Sequence, residues 1–72
     1  MNREEKLEII ADILEVEPDE LDEDMALDDF ETWDSVAVLS VIAMMDEKFG
    51  KYPHASEIRQ YIKVIDLMNG ME

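Results

Sequence analysis

Apolar residues recur at helical spacing in the first part of the chain: Leu7, Ile10, Ala11 and Leu14 share one stripe, with Ile9 and Ile13 alongside. Asn2 precedes them as an N-cap. Glu5 stands three positions later, where its side chain can return a bond to the cap's backbone, so a first helix is predicted to begin there. Pro18 disfavours helical geometry at Glu17 and predicts an end near Val16. Residues 18–34, "PDELDEDMALDDFETWD", keep apolar positions at Leu21, Met25, Leu27, Phe30 and Trp33 within an acidic stretch. The pattern is too regular for a free linker and too acidic for a packed helix. It predicts a long ordered loop pinned to the core by those side chains, and loops of that length in a small domain are uncommon and often functional.

The most apolar run follows. "SVAVLSVIAMMDEKF" predicts a second helix over residues 35–49, about 22 Å long at 1.5 Å per residue, with Gly50 as its stop signal. Tyr52 and Pro53 mark a turn, residues 56–61 predict a short third helix, and residues 64–68 predict a fourth. Alternation of the strand type, internal repeats and low-complexity tracts are all missing. The expected fold class is all-α: an irregular four-helix bundle with a long ordered loop between helices one and two, forming a single domain over residues 1–72.

On helix two, steps of roughly 100° per residue put Val38, Val41, Ile42, Met45 and Phe49 in one arc, the expected core face. Val36, Leu39 and Ala43 fall on nearly the opposite side, bordered by Ser40, Asp46 and Glu47. Three other helices, one of them very short, offer too little cover for both faces. Part of the second face is therefore expected to stay exposed as a small apolar strip edged with acids, a surface that a partner protein would recognise.

Charge narrows the choice of partner. Twenty acids against six bases leave a net charge of -14 over 72 residues, which repels nucleic-acid phosphates and anionic lipid and favours basic protein surfaces. Residues 1–34 alone carry 15 acids and two bases. No cysteine and one histidine exclude disulfide and zinc staples, leaving helix packing to carry the fold. The six methionines read as adaptable core filling, and His54 as an exposed turn residue. No apolar run approaches the roughly 18 residues of a membrane span, and the N-terminal residues lack a signal-peptide pattern. A cytoplasmic monomer is expected, with no metal bound. A calcium loop fails in "DELDEDMALDDFE": with Asp22 and Asp24 as the first two ligands Ala26 falls at the third, and no glycine follows at the required turn.

Ser35, directly after Asp34, opens the apolar run. Either residue can cap helix two. A hydroxyl at that point also lies where free backbone N–H groups and the helix dipole favour an attached phosphate. The chain has no G-x-S-x-G elbow and no histidine near this segment, so the serine is not a self-activated nucleophile; another enzyme would modify it, and no catalytic residue is expected.

"DSVAVLSVIAMMDEKFG" resembles the Asp-Ser-Leu motif and recognition helix of acyl carrier proteins. Upstream, "VEPDELDEDMALDDFETWDS" is similar to the loop of that family in its Pro-Asp-x-Leu start, its spaced apolar residues and its distance to the serine. Downstream, "EIRQYIKVIDL" resembles the stretch leading into the last helix, so the likeness covers essentially the whole chain. The resemblance implies a freestanding carrier rather than a catalyst. Ser35 would receive 4'-phosphopantetheine from coenzyme A through a phosphopantetheinyl transferase, and the arm would hold an acyl group as a thioester for fatty acid or polyketide biosynthesis. It also implies that Asp34 is the motif acid serving the transferase. Val36, Leu39, Ala43, Asp46 and Glu47 would face acyl-loading and acyl-transferring enzymes with basic docking surfaces. Val36 replaces the usual leucine, Ala37 and Ser40 are neutral where many carriers of fatty acid synthesis have acids, and Lys63 stands where a capping threonine is common. The competing reading is an acidic helical interaction module that is never modified.

Overall fold

Asn2 caps the first helix by accepting a hydrogen bond from the Glu5 backbone N–H at 2.9 Å. The computed structural model describes residues 2–71, and in it α1 runs Arg3–Leu14. It ends two residues before the expected point because Glu15 takes a left-handed conformation (φ 60°), and Val16 N–H turns back to the Ala11 carbonyl at 3.0 Å. A left-handed terminal residue satisfies carbonyls that a helix end would otherwise leave free. The expected stripe faces inward: Leu7, Ile10, Ala11 and Leu14 are buried. Each large apolar side chain so buried stabilises the fold by about 1.5–3 kcal/mol.

The long connection is ordered. It contains two single turns of 3-10 helix, Pro18–Glu20 and Leu27–Asp29. Leu21 and Leu27 are buried and Phe30 and Trp33 are partly buried against the core, whereas Met25 is exposed. Met25 is nonetheless tied down through its backbone, because its carbonyl accepts from Val64 N–H at 3.0 Å. Two further bonds, Leu27 N–H to the Ile62 carbonyl (2.8 Å) and Ile65 N–H to the Glu23 carbonyl (2.9 Å), sew the loop to the start of the last helix. Ala26 and Lys63 form an isolated antiparallel bridge there. Arg3 adds a salt bridge to Glu23 at 3.0 Å.

Helix α2 occupies Ser35–Phe49, with Gly50 at φ 66° closing it. Its core face is displaced from the expected one. Ala37, Val38, Val41, Met44 and Met45 are buried, while Ile42 and Phe49 are only partly so. The reason is the position of α1, which packs against α2 on a flank that the arc of apolar residues did not single out: Ile13 lines one groove with Ala37, and Ile9 and Ile13 line another with Met44.

Helix α3 is Ala55–Arg59, one residue earlier at its start than expected, and α4 is Val64–Gly70, two residues longer at its end. At the junction the Asp66 carboxylate accepts from the backbone N–H groups of Ile62 and Lys63, both at 3.0 Å. These two bonds hold its pKa below the ordinary aspartate value. A lysine has no acceptor to offer as an N-cap, so Asp66 does the work from inside the helix. Among the described residues there are four α-helices and no strand, an all-α irregular bundle. Met44, Met45, Met68 and Met71 fill its core, and Met1 lies outside the described residues.

Candidate functional site

Among the described residues no buried side-chain nitrogen or oxygen lacks a hydrogen-bond partner, so the interior holds no latent polar site and the chemistry must be sought at the surface. No group of three or more His, Asp or Glu side chains among them converges as a metal cage.

The start of α2 is the most structured polar point on that surface. Thr32 Oγ1 donates to the Leu14 carbonyl at 2.6 Å, fixing the loop to the end of α1 three residues before the helix opens. Asp34 then caps α2: its carboxylate accepts from Ala37 N–H at 3.0 Å, and its extended backbone (φ -129°, ψ -170°) turns the chain into the helix. Of the two capping candidates Asp34 takes the role, which leaves the Ser35 side chain without that duty. Ser35 is exposed in the first turn of a 15-residue helix, with the positive end of the helix dipole beneath it. Across from it on α3, Arg59 Nη2 donates to Ser35 Oγ at 3.5 Å.

The residues expected to face partners lie along the outside of the same helix. Val36 and Leu39 are large hydrophobics with relative exposures of 69% and 63%, and Ala43, Asp46 and Glu47 are exposed as well. Half or more of the first two side chains is thus in contact with water, an unfavourable position that burial against another surface relieves. The two acids sit on different rims of the strip. Asp46 accepts a hydrogen bond from the Tyr52 hydroxyl, which, with the carboxylate charge, raises the tyrosine pKa. Glu47 borders an open groove between α2 and α1 that Glu8, Asp12, Ser40 and Ala43 also line. Ala37, expected as a neutral residue where related helices carry an outward acid, instead points into the core.

Two features were not singled out from the sequence. The α1 acids Glu8 and Asp12 lie on the polar side of a helix whose apolar stripe faces the core, so their exposure is legible in the sequence, but their approach to α2 is not. Arg59 lies 24 residues from Ser35, and nothing in the local pattern joins them.

Residues 7–66 match the family model described as "Phosphopantetheine attachment site". No curated protein matches the chain, and no solved structure does.

Proposed function

Because the chain belongs to the phosphopantetheine attachment site family, whose members carry 4'-phosphopantetheine covalently on a serine, we propose that Ser35 is that serine and that the arm carries an acyl group as a thioester. Domains of this family are generally non-catalytic carriers that meet transferases and biosynthetic enzymes. The observation that carries the assignment is the exposed Ser35 hydroxyl at the N-terminus of α2, released from capping by Asp34 and inside the matched segment. Ser40 is partly buried in the middle of α2, and Ser56 lies on a helix of five residues.

The residues fit the group. A phosphate esterified to Ser35 Oγ stands at a helix N-terminus with one guanidinium beside it, in a chain otherwise dominated by carboxylates. In the attachment reaction the Ser35 oxygen forms a bond to the pantetheine-side phosphorus of coenzyme A. The pyrophosphate linkage breaks, adenosine bisphosphate leaves, and the hydroxyl proton passes to a base of the transferase. This chain supplies an accessible oxygen on a rigid helix end, with Asp34 holding that end in place; the arm, once attached, supplies the thiol that the cysteine-free sequence lacks.

Val36, Leu39 and Ala43 form the apolar contact for partner enzymes, and Asp46 and Glu47 supply charge on its two rims. Weak docking suffices for such a carrier, since a tethered thioester reaches each docked active site at high effective concentration. Incubation with coenzyme A, magnesium and a broad-specificity phosphopantetheinyl transferase, followed by peptide mass mapping, tests the proposal. The expected adduct is on the peptide containing Ser35, and an unmodified chain supports the interaction-module reading instead.

A further inference from the structure

Of the two arginines, Arg3 pairs with a carboxylate and Arg59 with a hydroxyl. The chain carries 20 carboxylates and six lysines and arginines, so a cation on its surface has many potential partners. Arg3 takes one of them, Glu23. Among the described residues, however, Arg59 forms no salt bridge, and its guanidinium instead donates to the neutral hydroxyl of Ser35 at the outer limit of hydrogen-bond distance. A neutral hydroxyl is a poor partner for a guanidinium, whose planar fork of donors matches phosphate oxygens.

We propose that Arg59 is the phosphate-binding residue of the attached arm, holding the phosphodiester on Ser35 and orienting the first bonds of the arm toward the α3 side of α2. This rests on Ser35 being the attachment site. Esterification turns Ser35 Oγ into a bridging oxygen and places two non-bridging oxygens, which share one negative charge, two bonds beyond it, within the sweep of a side chain that already reaches the oxygen itself. The weak contact of the unmodified protein is thereby exchanged for a charge-assisted one. Arg59 also offsets the repulsion between the new phosphate and the neighbouring carboxylate of Asp34, which is fixed in place by its bond to Ala37 N–H. Because α3 packs on α2, an arm held by Arg59 draws the two helices together at the modified end.

The test compares the full-length chain with Arg59→Gln and Arg59→Lys, each unmodified and pantetheinylated, with conversion read by intact mass. Conversion at Ser35 in all three proteins makes the comparison valid, whereas failure of the unaltered chain to convert overturns the attachment site and this proposal with it. On modification the unaltered chain should gain about 2–5 °C in melting temperature at low salt. Its Arg59 side-chain Nε–Hε signal should move in a proton–nitrogen NMR spectrum. Arg59→Gln should lose the thermal gain and show a shifted phosphorus resonance, and Arg59→Lys should retain part of the gain. Equal thermal changes in the unaltered and Gln proteins, with an unmoved Arg59 signal and the same phosphorus resonance, overturn the proposal. Comparing each unmodified variant with its modified form removes any purely structural role of the arginine from the result.

Discussion

The hydroxyl of Thr32 donates to the main-chain carbonyl of Leu14 across 18 residues, at 2.6 Å. This bond links the terminus of α1 to the segment that launches α2, so the position of Ser35 depends on a contact made on the other side of a long loop. Replacing Thr32 by valine keeps the shape and removes the donor, leaving a part-buried carbonyl unpaired. The expected cost is about 1 kcal/mol, or a fall of about 4–8 °C in melting temperature for a domain of this size. Thermal unfolding followed by circular dichroism checks it; an unchanged midpoint shows that water replaces the hydroxyl.

The loop is a core element on its apolar side. Leu27 has no exposed surface, so Leu27→Ala should cost about 2–5 kcal/mol, enough to unfold much of a small domain. Met25→Ala should change stability by no more than about 0.5 kcal/mol, since Met25 contributes a backbone bond and its side chain is already exposed. Denaturant titration of both variants separates the two anchoring modes, and equal losses would contradict it.

These loop residues show what the sequence makes legible. Spacing identified Leu21, Leu27, Phe30 and Trp33 as anchors, and cap chemistry bounded α2 at Asp34 and Gly50, because both signals are local. Met25 was expected to anchor by its side chain and does so by its carbonyl, which no residue pattern reports. The core face of α2 moved from Ile42 and Phe49 toward Ala37 and Met44 because α1 covers that flank, a fact of packing rather than of periodicity. The strip of Val36, Leu39 and Ala43 was visible as surplus apolar area. The approach of Arg59 to Ser35 exists only in three dimensions.

Asp66 gives the fold a specific response to acid. Its folded pKa lies below the ordinary aspartate value because the Lys63 and Ile62 N–H groups favour the charged form. The contribution is therefore fully present above the unfolded pKa of about 3.9 and is lost as pH falls through the lower folded value. Asp66→Ala should be less stable than the unaltered chain at pH 7, and the gap should narrow below about pH 4. Melting temperatures of both proteins from pH 7 to pH 2.5 check the trend, and a constant gap contradicts it.

Docking should show two kinds of dependence. Leu39→Ala removes apolar area from the contact and should weaken a partner complex by about 2 kcal/mol, roughly 30-fold, at every salt concentration. Reversing Asp46 and Glu47 to lysine should slow association with a basic partner, with a loss that shrinks as the screening length falls to about 8 Å at physiological ionic strength. Transfer rates with a cognate enzyme at two ionic strengths distinguish them. Normal transfer by Leu39→Ala together with a decisive acid in the loop before Ser35 places the docking surface elsewhere.

The central claim, that Ser35 carries the arm, is tested most directly by intact mass after treatment with coenzyme A and a broad-specificity transferase. The unaltered chain, Ser35→Ala and Ser40→Ala are compared. Asp34 supplies the α2 cap, so Ser35→Ala should stay helical, with a change in stability within about 0.5 kcal/mol, and circular dichroism confirms that any loss of modification is not a loss of fold. The account predicts one added phosphopantetheine on the unaltered chain and on Ser40→Ala, and none on Ser35→Ala. A modified Ser35→Ala, or an unaltered chain that gains nothing, contradicts it.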